Sequence, residues 1–174
     1  MEGLILDPAT RLERIETARL VLRRATYDDL DAFHAAMSDP GVMRYWSTPP
    51  HADIDETRLW LTAMAEADPA ISDDFVIELG GAAIGKLGAF RLPEVGFLLH
   101  PDHHGQGYGR EALAAYTGYI RARGLPGLTA DVDPRNAASL ALLTGAGFVE
   151  TGRATRSWLV GEEWCDSIYL GLKF

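Results

Sequence analysis

The sequence predicts a mixed α/β domain, and three observations predict it. Segments in which apolar and polar residues alternate are interleaved with segments whose apolar residues recur at helical spacing, so strands and helices follow one another along the chain. A strand, a glycine loop and a helix stand in that order at its centre, in EVGFLLHPDHHGQGYGREAL. The length, 174 residues, fits one domain with room for a real core, and no repeat, low-complexity block or linker divides it.

The elements can be justified in order. TARLVLRRA, residues 17–25, alternates and is rich in β-formers, which predicts a strand. TYDDLDAFHAAMSD puts Leu30, Phe33 and Met37 on one helical face, with Asp28 and Asp29 suited to the first turn, and Pro40 is expected to stop that helix. Its prolines make VMRYWSTPPHAD a loop, at whose end Asp53 can cap a helix through about Ala67. DFVIELGGAAIGKLGAFRL reads as two strands joined at Gly80-Gly81, a strong hairpin signal. EVGFLLHP is a further strand, ended by Pro101, and it runs straight into the glycines.

Beyond them, REALAAYTGYIRAR sets Leu113, Tyr116 and Ile120 on one face and stops at Gly124 and Pro126. LTADV is a short strand. NAASLALLTGAG is a helix capped by Asn136 and ended at Gly145 or Gly147, and two strands near GFVETGRATRSWLV and EWCDSIYLGLKF complete the chain.

Composition narrows the partners. A net charge of −9 argues against a phosphate-backbone partner, which normally leaves a basic footprint, so no nucleic acid is expected. No apolar run is long enough to span a bilayer, and the first fifteen residues lack the layout of a secretory signal. One cysteine, Cys165, cannot form an internal disulfide, which fits a reducing compartment; a cytoplasmic location is expected.

HHGQGYGREAL places three glycines at alternate positions between strand and helix. Glycine serves where φ must be positive or where something approaches the main chain closely. A strand feeding such a loop and then a helix aims unpaired N–H groups and the positive end of the helix dipole at one point, which suits phosphate. The spacing is not the dinucleotide fingerprint: counting from Gly105 or Gly107, the sixth position is Arg110 or Ala112. Nor does a Gly-Lys-Ser/Thr tripeptide occur, so the nucleotide-triphosphate loop fails as well.

The ordered set of segments resembles the GNAT superfamily of N-acetyltransferases, whose central motif is Gln/Arg-x-x-Gly-x-Gly/Ala between a strand and a helix. Here that motif reads His104-Gly105-Gln106-Gly107-Tyr108-Gly109, with His104 where Gln or Arg is usual. RLVLRRATYDDLDAF and NAASLALLTGAGF extend the likeness over most of the chain, and together they look most like the branch containing the ribosomal-protein alanine acetyltransferases. The resemblance implies a single GNAT-like domain over residues 1–174, with 1–15 an N-terminal extension and a central, mostly antiparallel mixed sheet flanked by helices. It also implies acetyl-coenzyme A as donor, no metal, and an amine acceptor; homodimers are common among similar proteins.

Roles follow from the resemblance position by position. The pyrophosphate is expected on the N–H groups of His104, Gly105, Gln106, Gly107, Tyr108, Gly109 and Arg110. Phe97, Leu98 and Leu99 match the strand whose exposed main chain pairs with the pantetheine arm, and Asn136 matches a residue that hydrogen-bonds that arm, although it serves equally as a helix cap. Glu94 matches the glutamate proposed to deprotonate the amine, through water. A main-chain N–H near Leu98 or Leu99 would meet negative charge on the thioester oxygen, and Ser139 or a nearby tyrosine would serve the departing thiolate. Tyr45 and Trp46 lie in a loop that helps to wall the acceptor pocket in similar proteins.

Other features have plainer readings. His100, His103 and His104 could gather a metal beside Asp102, but they sit in a loop that the glycine motif claims. Cys165 reads as packing in an apolar strand. Three functions stay open: an N-acetyltransferase acting on a protein or peptide N-terminal amine, one acting on a small amine, and a coenzyme A-binding sensor without catalysis.

Overall fold

A computed structural model describes residues 11–174. The first ten residues of the expected N-terminal extension lie outside the described residues. The remainder enters the fold directly: β1 (Arg14–Glu16) pairs antiparallel with β2 (Val21–Arg23), and Leu12 and Ile15 pack against the core. The strand expected over 17–25 is thus shorter, because the Thr17 hydroxyl accepts the Leu20 N–H and folds the intervening residues into a turn.

The Phe33 helix runs as α1 (Leu30–Met37). Pro40 does not simply stop it but opens a short helix, α2 (Pro40–Met43), whose first N–H groups are capped by the Asp39 carboxylate. Proline is well suited to the first helical position, where its missing N–H has no intrahelical partner. Asp53 caps α3 (Ile54–Ala65) as expected, accepting from the Asp55 and Glu56 amides. β3 (Asp73–Leu79) and β4 (Ala82–Arg91) form the hairpin at Gly80-Gly81, both at positive φ, and β5 (Glu94–Leu99) follows. α4 (Tyr108–Ala122) starts two residues earlier than its apolar period suggested, so Gly109 lies inside the helix. β6 (Gly127–Val132), α5 (Ala137–Gly145), β7 (Val149–Val160) and β8 (Glu163–Lys173) complete the order.

The strands form one sheet in the order β1-β2-β3-β4-β5-β6-β8-β7, antiparallel except between β5 and β6. Alternation along β3 sends Phe75 and Ile77 to the α4 face and Val76 to the opposite face, against Phe33, Leu61 and Met64 of α1 and α3. Each face of the sheet is therefore covered by its own helices. At the start of β3, Asp73 is fully buried and ion-paired with Arg24 and Arg123, and it accepts the Tyr119 hydroxyl at 2.8 Å.

One joint in the sheet is different. β5 and β6 share a single register pair, Glu94 with Thr129, supported by the Thr129 N–H on the Pro93 carbonyl at 3.0 Å. Beyond that pair they diverge, and β5 keeps hydrogen bonding only to β4.

Candidate active site

The splay gives β5 an open edge inside the sheet. The His100 N–H donates to Ile84 in β4, whereas the Pro93 carbonyl faces β6. Successive backbone groups alternate along a strand, so the N–H and C=O of Phe97 and Leu99 face the opening and those of Leu98 face β4. This narrows the expected oxyanion donor from Leu98 or Leu99 to Leu99, with Phe97 beside it. Leu98 instead buries its side chain with Met37 and Met43. The Leu99 carbonyl is met by the His104 ring at 2.9 Å.

At the end of β5 the glycines behave as their spacing suggested. Gly105 and Gly107 both take positive φ, and Gly107 is the residue from which α4 springs. His104 departs from expectation: its N–H is engaged by the Pro101 carbonyl in a short turn, so it has no amide to offer an anion. From Gly105 to Arg110 the main-chain N–H groups have no acceptor among the described residues, and the first turn of α4 adds its dipole. A polyanionic group fits this cradle.

On the other side of the splay the same two strands floor a cavity of about 600 Å³. Paired residues share a face, so Glu94 and Thr129 point to the same side, and Asp131 follows there along β6. Solvent reaches Glu94 through the cavity mouth, yet the surrounding walls remove part of its hydration. That desolvation, with the Asp131 charge second, holds its carboxyl above the ordinary carboxylate range, against a smaller opposing pull from Arg91. Among the described residues Glu94 has no hydrogen-bond or ion-pair partner, which leaves its oxygens free to take a proton. Deeper in the floor, Lys86 and Asp74 form a buried ion pair at 2.6 Å.

The walls come from distant segments. Tyr45 and Trp46 both line the cavity, and the Tyr45 hydroxyl reaches the Arg135 carbonyl at 3.2 Å, tying that loop to the one after β6. Trp158 of β7 donates its indole N–H to Asp131 at 2.6 Å, a contact that no local pattern could have signalled. Asn136 caps α5 by accepting the Ser139 N–H at 3.1 Å while both residues line the cavity, so capping and lining coexist. Cys165 also lines it, with the Arg135 guanidinium 3.5 Å from its sulfur. Among the described residues no three His, Cys, Asp or Glu side chains converge as metal ligands, and no helix is long and apolar enough to cross a membrane.

Residues 19–149 match the family model described as the acetyltransferase (GNAT) domain, three quarters of the chain. The chain belongs to the GNAT acetyltransferase family. By that membership it is an acetyl-coenzyme A-dependent N-acetyltransferase. Among curated relatives of this acetyltransferase, an uncharacterized N-acetyltransferase, p20, of Bacillus licheniformis is 26% identical over 151 residues, covering 81% of this chain and 85% of that one. The L-amino acid N-acyltransferase MnaT of Escherichia coli K12 is 28% identical over 127 residues, 70% of this chain and 74% of that one. A solved structure of RimL, a ribosomal L7/L12 α-N-protein acetyltransferase in complex with coenzyme A, superposes with a TM-score of 0.83 at 19% identity, covering 93% and 98% of the two chains. At that identity the likeness is one of fold.

Proposed function

We propose that this acetyltransferase transfers the acetyl group of acetyl-coenzyme A to a primary amine by direct attack, with Glu94 as general base. The observation that carries the reading is the splay. The splay leaves the outward N–H groups of Phe97 and Leu99 between the unpartnered amides of residues 105–110 at one end of β5 and the partner-free Glu94 carboxylate of the cavity at the other.

Acetyl-coenzyme A, when bound, supplies an acyl thioester, a carbonyl carbon already activated toward nucleophiles. The chain's own groups do the rest. The amides of residues 105–110 hold the pyrophosphate, with Gly107 leaving room for its approach. Glu94 takes a proton from the incoming ammonium or through one water, which restores the nitrogen lone pair. The Leu99 N–H meets the negative charge that develops on the carbonyl oxygen as the C–N bond forms. As the C–S bond breaks, the second proton of the attacking nitrogen passes to the departing thiolate by way of the Ser139 hydroxyl or a nearby tyrosine. Ser139 lines the cavity and its hydroxyl has no partner among the described residues.

For the acceptor, the carboxylates of Glu94 and Asp131 beside the rings of Trp46 and Trp158 favour a cation. Protein or peptide N-termini and small amines both carry one. The test is a panel of peptides with free N-termini, polyamines and amino acids, following release of free thiol. Amine-dependent release identifies the acceptor. Slow hydrolysis with no amine-dependent increase across the whole panel would overturn catalysis in favour of a coenzyme A-binding sensor.

A further inference from the structure

The glycine loop is braced from behind by residues more than eighty positions away in sequence. The Arg19 guanidinium donates through Nη1 to the Gln106 carbonyl at 2.9 Å and through Nε to Glu111 Oε2 at 2.7 Å, and it lies over the Tyr108 ring with 4.5 Å from Cζ to centroid. Glu111, in the first turn of α4, is itself held: its Oε1 accepts the Arg19 main-chain N–H at 2.7 Å and the Thr17 hydroxyl at 2.6 Å. The arginine fork therefore spans loop and helix at once, and its carboxylate anchor is tied to the turn that precedes β2.

The consequence follows from one peptide plane. The Gln106 carbonyl and the Gly107 N–H belong to the same trans peptide, in which the two groups point in opposite directions. Binding the carbonyl to Arg19 turns the Gly107 N–H away from Arg19. A residue at positive φ between flexible neighbours would otherwise sample several peptide orientations. Resting on the acetyl-coenzyme A reading above, we infer that Arg19, anchored by Glu111 and Thr17, is a positioning residue that pre-aligns the Gly107 amide for the cofactor pyrophosphate. It acts through geometry rather than as a charge on the phosphates. A bidentate guanidinium is required, since a lysine ammonium cannot satisfy the carbonyl and the carboxylate in the same fork geometry.

The geometric and the charge roles make opposite predictions for Glu111→Gln. Removing an anion beside the cradle strengthens binding of a polyanion if charge governs, and weakens it if the anchor of the fork governs. The experiment measures calorimetric Kd for coenzyme A on folded wild type, Arg19→Lys, Glu111→Gln and the milder Thr17→Val. It is paired with kcat/KM for acetyl-coenzyme A relative to S-acetylpantetheine, a donor that lacks the pyrophosphate. Arg19→Lys and Glu111→Gln are expected to raise Kd about tenfold, the worth of roughly one misaligned hydrogen bond to a charged group, and to lower the donor ratio by a similar factor. Thr17→Val should shift both in the same direction by less.

Tighter coenzyme A binding by Glu111→Gln would overturn the geometric role. So would unchanged binding by Arg19→Lys, or equal losses with both donors, which is the mark of general destabilisation. If wild type itself binds no coenzyme A, the cofactor reading falls and takes this inference with it, whereas loss of the difference between variants removes the inference alone.

Discussion

Glu94→Gln isolates the proton transfer. The change keeps the size of the side chain and removes its basicity, and because Glu94 is exposed and has no partner among the described residues, folding stability should move by no more than about 0.5 kcal/mol. Coenzyme A affinity should hardly change, since the cradle lies at the other end of β5. The loss in turnover can be bounded from the acceptor. At pH 7 an α-ammonium with pKa near 8 leaves about one amine in ten neutral, while an alkyl ammonium near 10.4 leaves about one in 2,500. Those fractions cap the loss near neutral pH at about tenfold for an α-amine and about 10³-fold for an alkyl amine, the latter within the usual worth of a positioned base, about 10²–10⁴. The deficit should shrink as pH rises, because solvent then performs the deprotonation, and it should level off once pH passes the pKa of the amine. The assay is the pH–rate profile of both proteins with one confirmed acceptor. Equal turnover at neutral pH, under conditions where chemistry limits the rate, would show that Glu94 is only a carboxylate at a strand end and that another group carries the proton.

Further expectations concern its surroundings. Asp131→Asn removes a negative charge that opposes ionisation of Glu94, so the base stays ionised to lower pH and the acid limb of kcat/KM should move downward; an unmoved or rising limb would separate the two carboxylates. Gly107→Val puts a Cβ 3.4 Å from Arg19 Nη2 on a residue at φ +83°. A β-branched side chain resists that conformation, so calorimetry should find coenzyme A bound at least about tenfold more weakly, and unchanged affinity would remove the phosphate cradle. Asp73→Asn removes the buried anion that Arg123 and nearly buried Arg24 both contact. Denaturant unfolding should show a loss of about 3–5 kcal/mol, and a loss below about 1 kcal/mol would mean that the guanidinium groups find other partners.

What could be read from the sequence was what neighbouring residues decide. The Gly80-Gly81 hairpin, the Asp53 cap and the strand–glycine–helix order depend on residues a few positions apart, and each is present. Pro40 shows the limit of a local rule, since the same ring that breaks a helix interior starts one when an aspartate precedes it. Choosing between the amides of Leu98 and Leu99 required knowing which neighbour each side of β5 faces, and that is a property of the sheet. The Asp131 charge beside Glu94, the Trp158 indole over it and the Arg19 fork behind Gly107 were out of reach for the same reason. They join residues 27 to 92 positions apart, and no periodicity links such residues.

The divergence of β5 from β6 also bears on what can pair with that strand. Free strand edges invite pairing with any extended chain, and sheets usually protect them with charge, bulges or closure. Here one such edge is turned inward, between two halves of the same sheet, with α4 packed across the joint. At this joint an approaching protein would meet helices and the ends of strands rather than an extended ladder, whereas a single slender chain can slip in along the groove. The geometry that exposes main-chain groups to a narrow ligand thus withholds them from intermolecular strand addition, so binding capacity is gained here without the aggregation hazard that an outer edge would bring.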